Sequence, residues 1–449
     1  MGSNWPRVKV SDICELIVDC VNKTAPVSPV PTLYKMIRTP NIKNGRVSTD
    51  DCRCVDADTF AKWTRRATVE RNDVLLTREA PLGEVGIVNS SEQLFLGQRI
   101  MQYRADETKL DPHFLLYSFL SPDLQHQFSM HEGSGSVVSH IRVGDCSKFE
   151  LNLPSLDTQK RISEILRNVD KKITLNNQIN QTLEQMAQTL FKSWFVDFDP
   201  VKAKMNGEQP KGMDAPFLSK DVASLFPEKL VESELGLIPE GWEVMGLPSG
   251  TLFREGPGIL AKDFHEKGVP LIRLAGLKNG VSLLDGCNYL DPEKVDKKWK
   301  HFLLQEGDIL LSSSASLGRV AEVTKQSENS IAYTGIIGFR PIEGVTTRKY
   351  LKYFIQSRNF QRQIEAFGVG SVLKHFGPTH LKKMWILLPP VSIQDKFEQL
   401  VLALDEKIQT GLEQNQSLSN LRDTLLPKLL SGEIDLENLQ VEQAKALAE

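Results

Sequence analysis

The sequence predicts an α+β protein in which one structural unit occurs twice, each copy being a globule followed by a long helix. Three observations lead to this fold class: an internal repeat, heptad-like spacing of apolar residues in the second part of each copy, and short apolar runs opened by turn residues in the first part. The chain has 449 residues, 40% hydrophobic and 25% charged. That length and composition indicate two or three globular domains.

The repeat has a constant offset of 235 residues. Ile37–Gly45 aligns without a gap with Ile272–Gly280, and both segments read I-R-x-x-x-[IL]-K-N-G. The register shifts by one residue only near Ser121 and Ser357, as a compensated loop insertion would produce. Further matches in register are Asp73–Thr77 with Asp308–Ser312, Gly133–His140 with Gly368–His375, and Leu153–Gln159 with Leu388–Gln394.

The second part of each copy is predicted to be helical, because its apolar residues recur with a period close to 3.5, as in a coiled-coil seam. No proline interrupts residues 158–196, so about 38 residues at 1.5 Å each predict a rod of nearly 60 Å. Polar Asn176 and Lys407 interrupt the two seams and are expected to fix the helix register. The alternative is a pair of amphipathic helices that each lie on their own globule. The predicted seam residues are Ile162, Ile165, Val169, Ile179, Leu183, Met186 and Leu190, and then Phe397, Leu400, Leu404, Leu418, Leu421 and Leu425.

The first part of each copy reads as short strands and turns with helical stretches at 113–128 and 348–367. Prolines and glycines concentrated between the first helix and the second globule predict a linker. The predicted segments are globules at 1–155 and 236–390, helices at 156–195 and 391–432, a linker at 196–235 and an acidic tail at 433–449.

Composition narrows the class of protein. The formal net charge is −3, but residues 236–390 hold 20 Lys and Arg against 15 Asp and Glu, which leaves that globule at +5. The six cysteines form no C-x-x-C pair, so reduced thiols without a shared role are expected. No apolar run reaches the roughly 18 residues that a membrane span needs, and the first residues do not follow the plan of a signal peptide. We therefore expect a cytoplasmic protein.

The duplication itself suggests a function. Two similar globules held apart by two packed helices would form a ruler, and DNA readers with two-fold symmetry contact half-sites about 34–36 Å apart through successive major grooves. Because the two globules are not identical, they would read a two-part, non-palindromic site.

Several motifs add a family resemblance that covers almost the whole chain. The sequence resembles the specificity subunit of type I restriction-modification enzymes. The motifs that carry this resemblance are Leu153–Leu166, Phe191–Pro200, Gly236–Trp242 with a weaker counterpart at Asn4–Pro6, Leu388–Phe397, and Leu425–Ile434.

This resemblance implies that the globules are target recognition domains and that the helices form an antiparallel coiled-coil spacer, whose length sets the gap between half-sites. It implies two methyltransferase subunits that methylate adenine N6 from S-adenosylmethionine, and restriction subunits that translocate and cleave unmodified double-stranded DNA. The chain itself is then expected to hold no catalytic residue, metal or cofactor. Phe191, Trp194 and Phe195, at the end of the first helix, become candidates for partner contact, with core packing as the alternative.

Two pairs of basic residues at repeat positions are candidate DNA contacts. Arg38 and Arg273 each follow an apolar Ile, and an arginine fork can bind two acceptors of guanine. The alternative is that each anchors a turn by pairing with a carboxylate. Lys43 and Lys278 lie in the K-N-G turns, where a solvated ammonium would contact phosphate unless it is merely a turn residue.

The glycine-rich loops supply further candidates, because glycine, serine hydroxyls and histidine permit close approach to a groove. Arg78 aligns with Ser313 in the repeat. The residues around this position match in the two copies while the position itself differs, so we expect it to contribute to a difference in the DNA target of the two globules. Internal hydrogen bonds for the histidines and an ordinary surface role for Arg78 are the alternatives. The loop candidates are Ser136, His140 and Arg142 in the first copy and Ser371, Lys374 and His375 in the second.

Two rival classes of function make different predictions. An enzyme would need a recognisable site, but the sequence has no Asn/Asp-Pro-Pro-aromatic tetrad, no Walker phosphate loop and no H-E-x-x-H pair. A scaffold whose globules bind peptide would not bind duplex DNA, whereas a DNA reader loses affinity steeply with added salt.

Overall fold

The computed structural model describes residues 5–130, 140–208, 220–278, 282–314, 317–367, 376–434 and 436. It consists of two compact units: unit 1 is Met1–Leu175 with Gln414–Glu449, and unit 2 is Asn176–Glu413. Both boundaries fall inside long helices. Each unit therefore contains one globule, the first half of the helix that follows it, and the second half of the other helix.

The globule of unit 1 combines three sheets with three short helices. A six-stranded sheet has the order β2-β10-β7-β8-β5-β4, a three-stranded sheet has the order β6-β3-β9, and β1 pairs with β11. The strands are β1 (Arg7–Lys9), β2 (Cys14–Asp19), β3 (Tyr34–Ile37), β4 (Ile42–Lys43), β5 (Gly45–Val47), β6 (Arg53–Val55), β7 (Val74–Arg78), β8 (Leu82–Ile87), β9 (Gln93–Leu96), β10 (Ile100–Ala105) and β11 (Glu150–Asn152), and the helices are α1 (Ala57–Trp63), α2 (Pro112–Leu120) and α3 (Pro122–Ser129).

The first long helix, α4 (Leu156–Phe195), leads into unit 2. Two short helices follow it, α5 (Asp199–Met205) and α6 (Lys220–Ser224). The strands of unit 2 are β12 (Leu230–Ser233), β13 (Gly236–Pro239), β14 (Glu243–Gly246), β15 (Thr251–Glu255), β16 (Val269–Ile272), β17 (Asn288–Leu290), β18 (Ile309–Ser312), β19 (Val320–Glu322), β20 (Ile331–Ala332), β21 (Ile336–Pro341) and β22 (Trp385–Leu388), and its later helices are α7 (Pro292–Lys294), α8 (Arg348–Gln356), α9 (Arg358–Ala366), α10 (Pro378–Leu381) and the long α11 (Val391–Leu430).

The repeat in the sequence is a repeat of topology. The sheet β15-β21-β18-β19 has the order of β2-β10-β7-β8, the sheet β17-β16-β20 that of β6-β3-β9, and β14 pairs with β22 as β1 pairs with β11. In both three-stranded sheets the central strand has one antiparallel and one parallel neighbour. Each unit is thus the same α+β globule, and unit 1 adds the β4–β5 hairpin to its sheet.

A buried carboxylate fixes the turn that opens the central strand of each large sheet. Asp73 is 0% exposed and accepts two bonds from Arg104, of 2.8 and 2.9 Å. Asp308 does the same with Arg340, at 2.7 and 2.6 Å. Each carboxylate also accepts the backbone amide three residues before it. Such pairing satisfies a buried charge that would otherwise be costly, which explains why both copies keep it.

Both long helices are 40 residues long, or about 60 Å at 1.5 Å per residue. Within unit 2, Asn180 of α4 lies against Gly411 of α11, and the rings of Trp194 and Phe397 are 6.1 Å apart. From the first contact to the second, α4 advances by fourteen residues, from 180 to 194, while α11 goes back by fourteen residues, from 411 to 397. The helix halves in unit 2 therefore run antiparallel.

Unit 1 holds the other halves of these two helices. Leu426 and Leu429 of α11 share one core with Ile162 of α4. A further contact fixes their register, since Arg422 Nη1 donates to Asp170 Oδ1 at 3.0 Å. A directional polar contact that is half-buried, as this one is, penalises a slipped register more strongly than interchangeable leucines do.

Part of the predicted apolar seam does not lie in a helix–helix contact. Ile179, Met186 and Leu421 are 45%, 38% and 43% exposed, whereas Ala187 is fully buried. The apolar stripe of α4 instead follows the globules, because its first half packs on the core of unit 1 and its second half on that of unit 2. Lys407 is also exposed, while Asn176 is buried as a seam residue would be.

The segment 196–235, expected to be a linker, is part of the fold where the structure describes it. Val201, Val222 and Phe226 are buried in the core of unit 2, and β12 pairs with β13. Apolar residues spaced between prolines give this segment enough buried surface to fold against the end of α4. Of the predicted tail at 433–449, only 433, 434 and 436 are among the described residues.

A buried glutamine fastens the start of each long helix to its globule. Gln159, 0% exposed, accepts from the Asp111 backbone amide at 2.9 Å and donates to the Lys109 and Pro154 carbonyls, both at 3.0 Å. Gln394 makes the equivalent bonds in unit 2, all at 2.9 Å, with the backbones of Thr347, Val345 and Pro389. The amide uses both of its ends, so a carboxylate or an aliphatic side chain cannot replace it.

We expect Gln159→Ala to lower the free energy of unfolding of unit 1 by about 3 kcal/mol, because three backbone groups that a fully buried side chain satisfies lose their partner. Hydrogen exchange along the chain measures this, and unit 2 should keep its protection. Gln178→Ala, at an exposed position of the same helix, is the matched control and should change neither unit. Equal effects of the two substitutions would contradict the role given to Gln159.

Candidate nucleic-acid interface

Arg273 follows β16, and its guanidinium is held in one place. The guanidinium carbon lies 4.1 Å from the ring centroid of Tyr333 and 5.7 Å from that of Phe264. Nη1 donates to Asn288 Oδ1 at 3.1 Å. Stacking on aromatic faces suits the planar guanidinium and leaves its remaining donors oriented. The side chain is half-buried, so a preorganised arginine fork is available at the surface of unit 2.

Arg38 occupies the matching position after β3 but has different neighbours. Its Nη2 donates to the Asp51 carbonyl at 3.1 Å, and its backbone amide donates to Asn41 Oδ1 at 2.9 Å. Its Nε is buried and has no hydrogen-bond partner among the described residues. The turn-anchoring alternative therefore describes part of its role, although the acceptor is a backbone carbonyl rather than a carboxylate.

Lys43 lies at the tip of a tight hairpin. Lys43 pairs with Arg46 across the β4–β5 hairpin, and Asn44 and Gly45 between them have φ of 51° and 79°. Positive φ at both central residues is the type I′ turn that Asn-Gly favours. Lys43 is exposed there, as a phosphate-binding ammonium would need to be. Lys278 is exposed too, but the two residues after it in its K-N-G turn lie outside the described part of the chain.

Arg78 holds the segment after the first glycine-rich loop. Its Nη1 donates to the Ile141 carbonyl at 3.0 Å, and the Ile141 amide donates back to the Arg78 carbonyl at 3.0 Å. The backbone bond recurs in unit 2, where the Phe376 amide donates to Ser313 at 3.3 Å. Ser313 itself is 0% exposed, so its hydroxyl is enclosed in unit 2 and not presented to a groove. The difference between Arg78 and Ser313 thus changes how this segment is held.

The remaining loop candidates are only partly described. Arg142 is exposed and begins a single 3₁₀ turn, and His140 is half-buried with a partner inside the protein. Ser136, Ser371, Lys374 and His375 lie outside the described residues.

Comparison with known proteins decides the family. The family model described as the type I restriction modification DNA specificity domain matches residues 2–185 and 239–419. The chain belongs to this family. Each matched range covers one globule and part of the long helix that follows it, as the sequence repeat does. Membership confirms the predicted resemblance and is consistent with recognition of a DNA sequence.

Similar proteins carry the same description. The type I restriction enzyme HindI specificity subunit of Haemophilus influenzae is 26% identical over 96% of this chain and 100% of its own length. The MjaIX specificity subunit of Methanocaldococcus jannaschii is 26% identical over 82% of this chain and 79% of its own. A crystal structure of the type I system S subunit from M. genitalium aligns with a TM-score of 0.48 and 14% identity, covering 95% of this chain and 96% of that one.

The predicted partner-contact residues of this family member are mostly interior. Phe191, Trp194 and Phe195 are 4%, 1% and 4% exposed and pack against Phe397. The structure thus favours core packing over direct contact. Phe191 and Phe195 nevertheless line the floor of a groove of about 460 Å³, beside exposed Leu237.

A smaller groove of about 140 Å³ occupies the corresponding place in unit 1. Both grooves lie where the end of a long helix meets a helix pair and a short strand of the globule. The residues that line both at matching repeat positions are Ser118 with Phe354, Ser121 with Ser357, Asp123 with Asn359, Asn152 with Leu387, Leu430 with Phe195, and Ser431 with Val196. The sequence motifs at the helix ends mark these grooves, but the motifs alone do not show which side chains line them.

Nothing in the described part of the chain resembles a metal or thiol centre. No group of three or more His, Cys, Asp or Glu side chains there is placed to hold a metal ion. All six cysteines are free thiols. Burial raises the pKa of Cys52 and of Cys146 to about 11, so both are protonated and poorly nucleophilic at neutral pH. No described helix is both long enough and apolar enough to span a bilayer.

Proposed function

We propose that this chain is the non-catalytic specificity subunit of a type I restriction-modification complex and that it reads a bipartite, asymmetric double-stranded DNA site. The observation that supports this most directly is the duplication. The two globules share one topology, but side chains at matching positions have different neighbours. Arg273 is stacked on aromatic rings, whereas Arg38 is tied to a backbone carbonyl. Heads of one shape with different contact chemistry would read two different half-sites.

The two long helices are proposed to act as an antiparallel coiled-coil spacer that sets the distance between half-sites. Their 40-residue lengths and the antiparallel pairing within unit 2 support this role. The Asp170–Arg422 ion pair would keep the register, and hence the spacing, constant.

We also propose that two adenine-N6 methyltransferase subunits dock on this chain and that restriction subunits join the complex. A groove repeated at matching positions of the two units suits two copies of one partner. S-adenosylmethionine would be bound by the methyltransferase subunits, and this chain would need no cofactor of its own. Such a complex would act on DNA in the cytoplasm.

Methylome sequencing tests the assignment. The chain would be expressed with the methyltransferase subunit of its own system in a host that lacks adenine methylation. We expect N6-methyladenine within one two-part asymmetric motif. Absence of methylation with an active partner, or the same methylation without this chain, would contradict the proposal and favour a peptide-binding scaffold.

Arg273→Lys should relax recognition in one half-site only. Lysine cannot offer a planar fork, so about 1–3 kcal/mol of discrimination at one base would be lost while phosphate contacts remain. Arg38→Lys is the matched variant and should relax the other half-site. The measurement is the methylated motif of each variant, and a change in both halves from either substitution would count against separate reading heads.

Lys43→Ala should weaken DNA binding equally for all sequences. Loss of one phosphate contact lowers the slope of log affinity against log salt by about 0.9. Binding of duplex DNA at several salt concentrations measures this slope. Lys148→Ala, which removes a lysine already paired with Asp145 at 2.9 Å, is the control. An unchanged slope for Lys43→Ala would remove this residue from the interface.

A further inference from the structure

The outer face of α4 in unit 1 carries a row of cations. Lys160, Arg167 and Lys171 line a shallow depression of about 370 Å³ together with Asp111 and Glu164. Positions 160, 167 and 171 fall on one helix face and span about 16 Å along its axis. We call Lys160, Arg167 and Lys171 the cationic stripe.

The stripe is not neutralised inside unit 1. None of its three side chains forms an ion pair with a described residue, and all are exposed. Asp111 is already engaged, because it accepts the Phe114 amide at 2.9 Å and the Ser163 hydroxyl at 2.5 Å. Glu164 is thus the single uncommitted carboxylate among the groups that line the depression.

The pKa of a neighbouring histidine, His113, responds to the charges of the cationic stripe. Burial lowers the pKa of His113, and the positive charges of Arg167, Lys171 and Arg71 lower it further, while the carboxylate of Asp111 opposes this shift. Its Nδ1 is buried and lacks a hydrogen-bond partner among the described residues. A lowered pKa keeps the imidazole of His113 neutral at pH 7, so His113 adds no charge and the cations determine the sign of this face.

Unit 2 has the opposite charge at the matching positions. The buried glutamines and the buried aspartates align the two units here, at a constant offset of 235. Arg71, Lys160 and Lys171 then correspond to Glu306, Asp395 and Glu406, all exposed, and Arg167 corresponds to Leu402. The same face is therefore cationic in one unit and anionic in the other.

The opposite charge of the two matching helix faces restricts which kind of partner can bind to the cationic stripe. If both heads read DNA, a backbone-tracking surface belongs on both units, because phosphate charge does not differ between half-sites. Two copies of one methyltransferase would likewise need matching surfaces. A face with inverted charge suits neither, and both exclusions rest on the proposed function.

We propose that the cationic stripe docks an acidic helical segment of a partner protein once per chain, and that the carboxylates of unit 2 exclude this segment from the matching face. Carboxylates spaced at i, i+7 and i+11 would face Lys160, Arg167 and Lys171. Like charges at an interface reject a wrong partner, so the inversion breaks the pseudo-symmetry of the chain. The partner would bind at unit 1 only, so that a complex with two-fold pseudo-symmetry would have two different ends.

The test uses the full chain bound to its methyltransferase subunits. The probe is a fluorescent alanine-rich helical peptide with glutamates at i, i+7 and i+11, and binding is followed by anisotropy at low salt. We expect one peptide per chain. Joint Lys160→Glu, Arg167→Glu and Lys171→Glu should weaken binding at least tenfold. Joint Lys23→Glu, Lys62→Glu and Arg65→Glu, at exposed positions elsewhere in unit 1, is the charge-matched control and should not.

A gain-of-function variant tests the exclusion independently. Joint Asp395→Lys, Leu402→Arg and Glu406→Lys, which rebuilds the stripe at the matching positions of α11, should raise the stoichiometry from one peptide to two. No peptide binding by the unaltered complex, or unchanged stoichiometry in this variant, would overturn the inference.

Methylation separates this inference from the proposed function. The stripe reversal should leave the methylated motif unchanged. If it abolishes the motif and also duplex binding, the stripe is a DNA surface, and the inference fails while the specificity role stands. Displacement of the peptide by inorganic pyrophosphate at equal charge would indicate a small-anion site and would also overturn it. If no methylation occurs with any version of the chain, the specificity role fails, and peptide stoichiometry still decides the docking proposal.

Discussion

The buried amides of Gln159 and Gln394 are the contacts on which the architecture depends. Each fastens the first turn of a long helix to the loop that enters the helix pair of its globule. A helix fixed only by apolar contact can rotate or slide at little cost, whereas three backbone bonds from one buried amide allow one position. The direction in which α4 and α11 leave their globules is set here, and the packing of their first halves follows from it.

The sequence predicted that one unit occurs twice, because the offset of 235 makes the same local patterns visible in both copies. The long helices lie at Leu156–Phe195 and Val391–Leu430, against predicted bounds of 156–195 and 391–432. The sequence predicted the packing of the helices less well. Ile179 and Met186 fit a heptad but are exposed, since apolar spacing does not show whether a helix face meets another helix or a globule. The segment 196–235 looked like a linker because its prolines conceal the few apolar residues that pack in unit 2.

The candidate site shows a similar division. The repeat aligns Arg38 with Arg273, and in the structure both residues directly follow equivalent strands, β3 and β16. Their different neighbours could not be predicted, because the ring nearest to Arg273 belongs to Tyr333, which is distant in sequence and meets the guanidinium only through the fold. The burial of Ser313 could not be predicted either. The repeat suggests the same environment for aligned positions, but Arg78 is partly exposed and Ser313 is enclosed.

Physical constraints explain which parts of the two copies stay alike. Asp73 and Asp308 keep their arginines because removal of one partner strands a buried charge, at a cost of about 3–5 kcal/mol. Exposed positions carry no such penalty, so Arg71 and Glu306 can differ even in sign. A duplicated fold thus diverges where it meets solvent. Divergence at the surface over a shared framework is what the proposed reading of two different half-sites would need.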